Sequence, residues 1–167
     1  AKEFLSNVIS NGYDGVEINF PHDLKFVTEF STELEIIRAT KNADFIFIAQ
    51  QVLSNKKETV NEYIQRITER LEYLAKLKPD FINSHTGKDY YDFSDNCKII
   101  EITDNISKKY NIPIVHEIHR GRFSFHLKTL YHKDSKKAVK NIFQIHLLFP
   151  SLNIHRLYTI SWHDFSL

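Results

Sequence analysis

The sequence predicts an α/β fold of repeated βα units on a parallel sheet. Short β-type apolar runs alternate with longer stretches of helical period. The runs begin about 30 to 40 residues apart, the length of one βα repeat. With 167 residues and 42% of them hydrophobic, the chain has material for one core and is short for two domains.

Each element has its own signal. Phe4, Leu5, Val8 and Ile9 have helical spacing and run into Asn11-Gly12, a helix end with Gly as a left-handed cap. Strands are expected over 15–20 (GVEINF), 44–50 (DFIFIAQ), 80–84 (DFINS), 112–118 (IPIVHEI) and 152–160 (LNIHRLYTI). Between them, Phe26, Phe30, Leu34 and Ile37 form one apolar stripe, with Asp23 as N-cap. Val60, Ile64, Ile67, Leu71 and Leu74 form a second, which ends before Lys78-Pro79. Ser94 is placed to cap a third helix carrying Ile99, Ile102, Ile106 and Tyr110, and a fourth is expected between Ser124 and Leu148. Because an α/β domain ordinarily opens on a strand, the opening helix predicts at least one strand upstream.

Composition narrows the function classes. Lys and Arg total 22 against 21 Asp and Glu, and no run gathers like charges into a basic arm, which argues against a nucleic-acid or membrane-surface partner. The single cysteine, Cys97, allows no internal disulfide, and no apolar run approaches the roughly 18 residues of a membrane span. A cytoplasmic setting is expected. The four glycines form no Walker A loop or GxGxxG fingerprint, and there is no GxSxG elbow.

Alternation along the strands gathers polar groups at their C-terminal ends. Glu17 and Asn19 share one face of the first strand, Asn83 and then His85 one face of the third, and Glu117 and His119 one face of the fourth. Ligands of α/β proteins bind at those ends. A carboxylate and an imidazole at i and i+2 can converge on one divalent ion or one substrate. His116 has the opposite parity and is expected to face the helices. Lys88, Arg120 and Arg122 follow in the loops and suit a phosphate or carboxylate. Gln50 and Gln51 compete for one place on the site face, and Gln51 is taken as the substrate-binding residue.

GYDGVEIN (Gly12–Asn19), FIAQQ (Phe47–Gln51), FINSHTGKD (Phe81–Asp89) and IPIVHEIHRGR (Ile112–Arg122), in that order, resemble the sugar phosphate isomerase/epimerase group with a xylose-isomerase-like TIM barrel. The resemblance covers roughly residues 1–128. It implies a (β/α)8 TIM barrel of about 250 residues or more, with 1–167 a single partial domain holding about strands 2–6 and lacking strands 1, 7 and 8. It further implies a divalent ion (Mn, Zn, Co or Mg), a small-molecule sugar or sugar phosphate as partner, and room for a homo-oligomer. Glu117 matches the strand-5 metal ligand, and His85 and His119 match pocket histidines. The sixth strand departs from the Asp-x-Ser-His pattern of similar proteins, reading TISWHDF at Thr159–Phe165, so that His163 or Asp164 would complete the metal set. The expected strand-8 glutamate is absent.

The implied reaction is metal-assisted isomerisation or epimerisation by proton transfer through an enediolate. Glu117, His85 and His119 would be the catalytic set, and Glu17, Asn19, Gln51, Asn83, Lys88, Arg120 and Arg122 would bind substrate. Three rivals stand beside it: a degenerate sugar-binding barrel, an endonuclease-IV-like phosphodiesterase, which the balanced charge disfavours, and an open flavodoxin-type sheet.

Overall fold

The computed structural model describes residues 1–125 and 157–160. The elements run α1 (Lys2–Ser10), β1 (Gly15–Ile18), α2 (Leu24–Thr40), β2 (Ile46–Gln51), α3 (Val60–Lys76), β3 (Phe81–Ser84), α4 (Phe93–Tyr110) and β4 (Ile114–His116). A single 3-10 turn (Phe123–Phe125) and β5 (Leu157–Ile160) follow. The fourth expected helix otherwise falls outside the described residues.

All strand pairs are parallel, in the order β4-β3-β2-β1-β5. The first four strands are sequential neighbours, unlike the 2-1-3-4-5 order of a flavodoxin sheet. The last strand corrects an expectation. As a sixth barrel strand it should extend the sheet beyond β4, yet it pairs with β1, Gly15 opposite Leu157. Among the described residues β4 and β5 are the two edges of the sheet.

Helix boundaries follow from their caps. Asp23 accepts from the backbone N–H of Lys25 at 2.9 Å and of Phe26 at 3.3 Å, starting α2 where the sequence places it. Gly12 has φ +73°, the left-handed end expected for α1. At α4 the cap differs from expectation: Asp92 is the N-cap and Ser94 lies inside the first turn. Thr59 and Glu62 form a capping box at α3, Thr59 Oγ1 accepting from Glu62 N–H at 3.3 Å and Glu62 Oε2 from Thr59 N–H at 2.7 Å. Thr59→Ala is expected to cost about 1 kcal/mol, read as a lower urea midpoint with unchanged slope.

The two faces of the sheet are unlike. Val16, Ile18, Phe47, Ala49, Ile82 and Ile114 pack with the helices into the main core, where Phe20 meets Phe30 and Phe47 edge-to-face at 4.9 and 5.4 Å. On α3 the buried stripe is Tyr63, Ile67, Leu71 and Leu74, so Tyr63 takes the place expected of Val60 and Ile64, which are only half-buried. The other face carries a small separate cluster, Ile46, Ile48, Phe81 and Val115. Above it, toward the C-terminal ends, the side chains turn polar.

The opposite ends of the strands are latched. Asp80 accepts from Phe47 N–H at 2.6 Å and pairs with Arg38 of α2, whose Nε donates to Phe45 O at 2.9 Å. No helix among the described residues is long and apolar enough to cross a membrane.

Candidate functional site

Register places Asn83 of β3 beside Gln50 and Val115, while Glu17 of β1 lies opposite Ile48. All belong to the face that carries the small apolar cluster. Asn83 Nδ2 donates to Glu17 Oε1 at 2.7 Å and to Glu117 Oε2 at 2.9 Å, so one amide spans two carboxylates brought from β1 and from just past β4. Glu17 is 8% exposed, whereas Glu117 is half-buried and opens toward the mouth.

His85 completes the group. Its Nε2 lies 2.8 Å from Glu117 Oε2, an ion-pair distance off the line of an ideal ring N–H bond, and neither ring nitrogen has an aligned hydrogen-bond partner among the described residues. The His119 ring sits 4.7 Å from the His85 ring, more exposed, with Nδ1 2.8 Å from the Arg120 carbonyl. His85 at its oxygen, helped by the Asn83 amide and the His119 charge, holds the Glu117 carboxyl below its ordinary range despite the opposing pull of burial. Glu117 is therefore an anion at neutral pH. Asn83 Oδ1 is buried without a donor among the described residues, an acceptor facing a site that can offer it a hydroxyl.

Other expected residues stand elsewhere. Gln51 is the clearest correction: it is fully buried on the helix-facing side, where Ser84 Oγ donates to its Oε1 at 2.6 Å, and Gln50 is the glutamine on the Asn83 face. Asn19 is engaged by Arg70 of α3, whose NH2 donates to its Oδ1 at 3.0 Å and to Phe20 O at 2.7 Å. Arg120 is exposed. Lys88 and Arg122 are buried beyond the acids, near Tyr63. His163 and Asp164 lie outside the described residues.

His116 faces the helices as its parity predicts. Ser84 Oγ, Thr86 Oγ1 and His116 Nδ1 follow one another at 2.7 Å, and Thr103 Oγ1 of α4 lies 3.5 Å from Nε2. Burial pushes the His116 pKa down to about 4.

Two supporting residues escaped the sequence reading. Tyr63 Oη accepts from Gly87 N–H at 2.9 Å and donates to His85 O at 3.4 Å, holding the loop that carries His85; its i+4 spacing from Ile67 is the signal that could have found it. Burial pushes the Tyr63 phenol up to about 12. Asn96 clamps the same loop, Oδ1 accepting from Lys88 N–H at 3.1 Å and Nδ2 donating to Lys88 O at 2.9 Å. Gly87 has φ +71°, and a Cβ there would overlap Asn96 Oδ1 and come within 2.9 Å of Phe123 Cβ. Gly87→Ala is expected to cost about 2 kcal/mol, measured by chemical denaturation.

Among the described residues no three His, Cys, Asp or Glu side chains converge as a metal-binding group, and Asn83 Nδ2 occupies an oxygen of both acids. The described residues form a hydrogen-bonded carboxylate pair and do not by themselves make a ligand sphere.

No family model matches the chain, and no curated protein does. Among solved structures, N-acetylneuraminate lyase from Fusobacterium nucleatum is similar at 16% identity with a TM-score of 0.41, over 92% of this chain. The chain spans 60% of that protein's length. The coordinates themselves give an α/β architecture with a parallel sheet.

Proposed function

We propose that the chain belongs to a (β/α)8 barrel enzyme that isomerises or epimerises a sugar or sugar phosphate by proton transfer through an enediolate. One observation supports this above others: Asn83 joins Glu17 to Glu117, with His85 against Glu117, at the C-terminal ends of parallel strands. A carboxylate that is ionised at neutral pH and fixed by a neighbouring amide and imidazole can accept a proton from the carbon beside a carbonyl.

In this reading Glu117 takes the proton from the carbon beside the carbonyl, and the electron pair of that C–H bond flows into an enediolate. Returning the proton to the former carbonyl carbon, while the hydroxyl proton passes between the two oxygens, gives isomerisation; protonation of the original carbon from the opposite face by a second acid gives epimerisation. Asn83 Oδ1 accepts a substrate hydroxyl, and Nδ2 keeps the two acids in place. His85 and His119 hydrogen-bond the oxygens on which charge develops. Glu117, with His163 or Asp164, would hold a divalent ion, which would supply polarisation of the substrate carbonyl.

The test is deuterium incorporation from deuterated water into a panel of aldoses, ketoses and their phosphates, with chelator and with added Mn, Zn, Co or Mg. Exchange that survives chelation gives the proton to Glu117 itself. Exchange restored only by an ion gives Glu117 the ligand role. Sugar binding without exchange in either condition would replace the enzyme with a binding module, and cleavage of abasic DNA would replace it with a nuclease.

A further inference from the structure

Lys88 and Arg122 carry positive charge into the protein, and neither forms an ion pair among the described residues. Lys88 is 3% exposed and Arg122 6% exposed, and cations so buried are ordinarily paired. The Nε and NH1 of Arg122 are buried without an acceptor among the described residues. Among the described residues the Lys88 ammonium reaches Asn55 Oδ1, at a long 3.4 Å, and the face of Tyr63, 5.7 Å from its ring centre.

The two residues come from neighbouring loops, after β3 and after β4. These loops are joined where Asp89 N–H meets Gly121 O at 3.4 Å and where Gly87 abuts Phe123. A cleft of about 640 Å³ opens there, with Lys88 buried in its wall beside Glu58, exposed Asn55, Lys56, Lys57, Asp89 and Tyr90 around it, and Gly121, the chain neighbour of Arg122, completing the lining. Its carboxylates offset the pair only in part: Glu58 and Asp89 both favour the Lys88 charge, but Glu58 is held by Arg66 at 2.7 Å to each oxygen and Asp89 is solvent-exposed.

We propose that Lys88 and Arg122 form an oxyanion subsite that takes a phosphate or carboxylate group. An oxyanion supplies the acceptors that the guanidinium lacks and offsets the repulsion between two buried cations. Consistent with this, burial and the Arg122 charge hold the Lys88 ammonium below the ordinary lysine range. The subsite does not depend on the proposed function, so binding is read here without turnover.

Melting of the full chain is followed during titration with inorganic phosphate, and separately acetate, at an ionic strength fixed with sodium chloride. The expected result is a saturable stabilisation beyond that of chloride. Response to phosphate assigns a phosphate group, and response to acetate alone assigns a carboxylate. Lys88→Met and Arg122→Gln are each expected to weaken the response about tenfold or more. Lys88→Met without ligand should melt no lower than the parent, since one of two facing like charges is gone. That variant keeps the test decisive if Arg122→Gln does not fold. No stabilisation beyond chloride, or an undiminished response in Lys88→Met, overturns the subsite. Phosphate binding in a protein that exchanges no sugar proton overturns the isomerase reading and leaves the subsite standing.

Discussion

Glu117→Gln is expected to lower proton exchange by about 10²- to 10⁴-fold, the usual contribution of one positioned acid–base group. The substitution keeps the volume and leaves an oxygen to accept from Asn83 Nδ2, which at present reaches Glu117 at 2.9 Å. What disappears is the anion that His85 holds low. The fold should therefore survive, and far-ultraviolet circular dichroism with a denaturation curve checks that it does. If the folded variant exchanges protons at the parental rate, Glu117 is neither base nor ligand. A parallel Glu17→Gln variant, altering the more buried acid, is expected to disturb positioning and raise KM more than it lowers kcat.

The second large effect is on stability against acid. His116 is neutral in the folded protein, with its pKa pushed down to about 4 by burial, whereas an unfolded histidine titrates near 6.5. Between these values the unfolded chain binds a proton that the native site refuses. The contribution is intact above about pH 6.5 and falls away as pH drops toward 4, removing about 3 kcal/mol in all. Urea midpoints taken every half unit from pH 7.5 to 4 should show the decline. His116→Gln, which can still meet Thr86, should flatten it; curves of parent and variant that descend in parallel would assign the loss to other groups.

The parity of the strands made much of this architecture legible. Glu17 and Asn83 could be placed on one face because each alternates with a helix-facing apolar neighbour, Val16 and Ile82, and Glu117 because it continues the parity of Val115; the geometry brings the three within hydrogen-bond reach. Parity failed at β2, where FIFIAQQ is apolar on both faces, as parallel strands buried on two sides are, and nothing local distinguishes Gln50 from Gln51. The α4 start was ambiguous for a related reason: Asp92 and Ser94 both suit an N-cap and lie two residues apart. The burial of Lys88 and Arg122 was not legible at all. Long cations default to solvent, and theirs is set by Asn96 clamping one loop and by the contact of Gly87 with Phe123, both tertiary. The partner of β5 likewise depends on register across the sheet, which a four-residue run cannot specify.

The Arg38–Asp80–Phe47 latch lies at the N-terminal ends of the strands, and the acids lie at the other. The latch and the acid cluster thus occupy opposite poles of the same sheet. Rim side chains can be exchanged while the floor beneath them keeps its shape; a lesion at the latch would loosen the scaffold without altering a single group at the mouth.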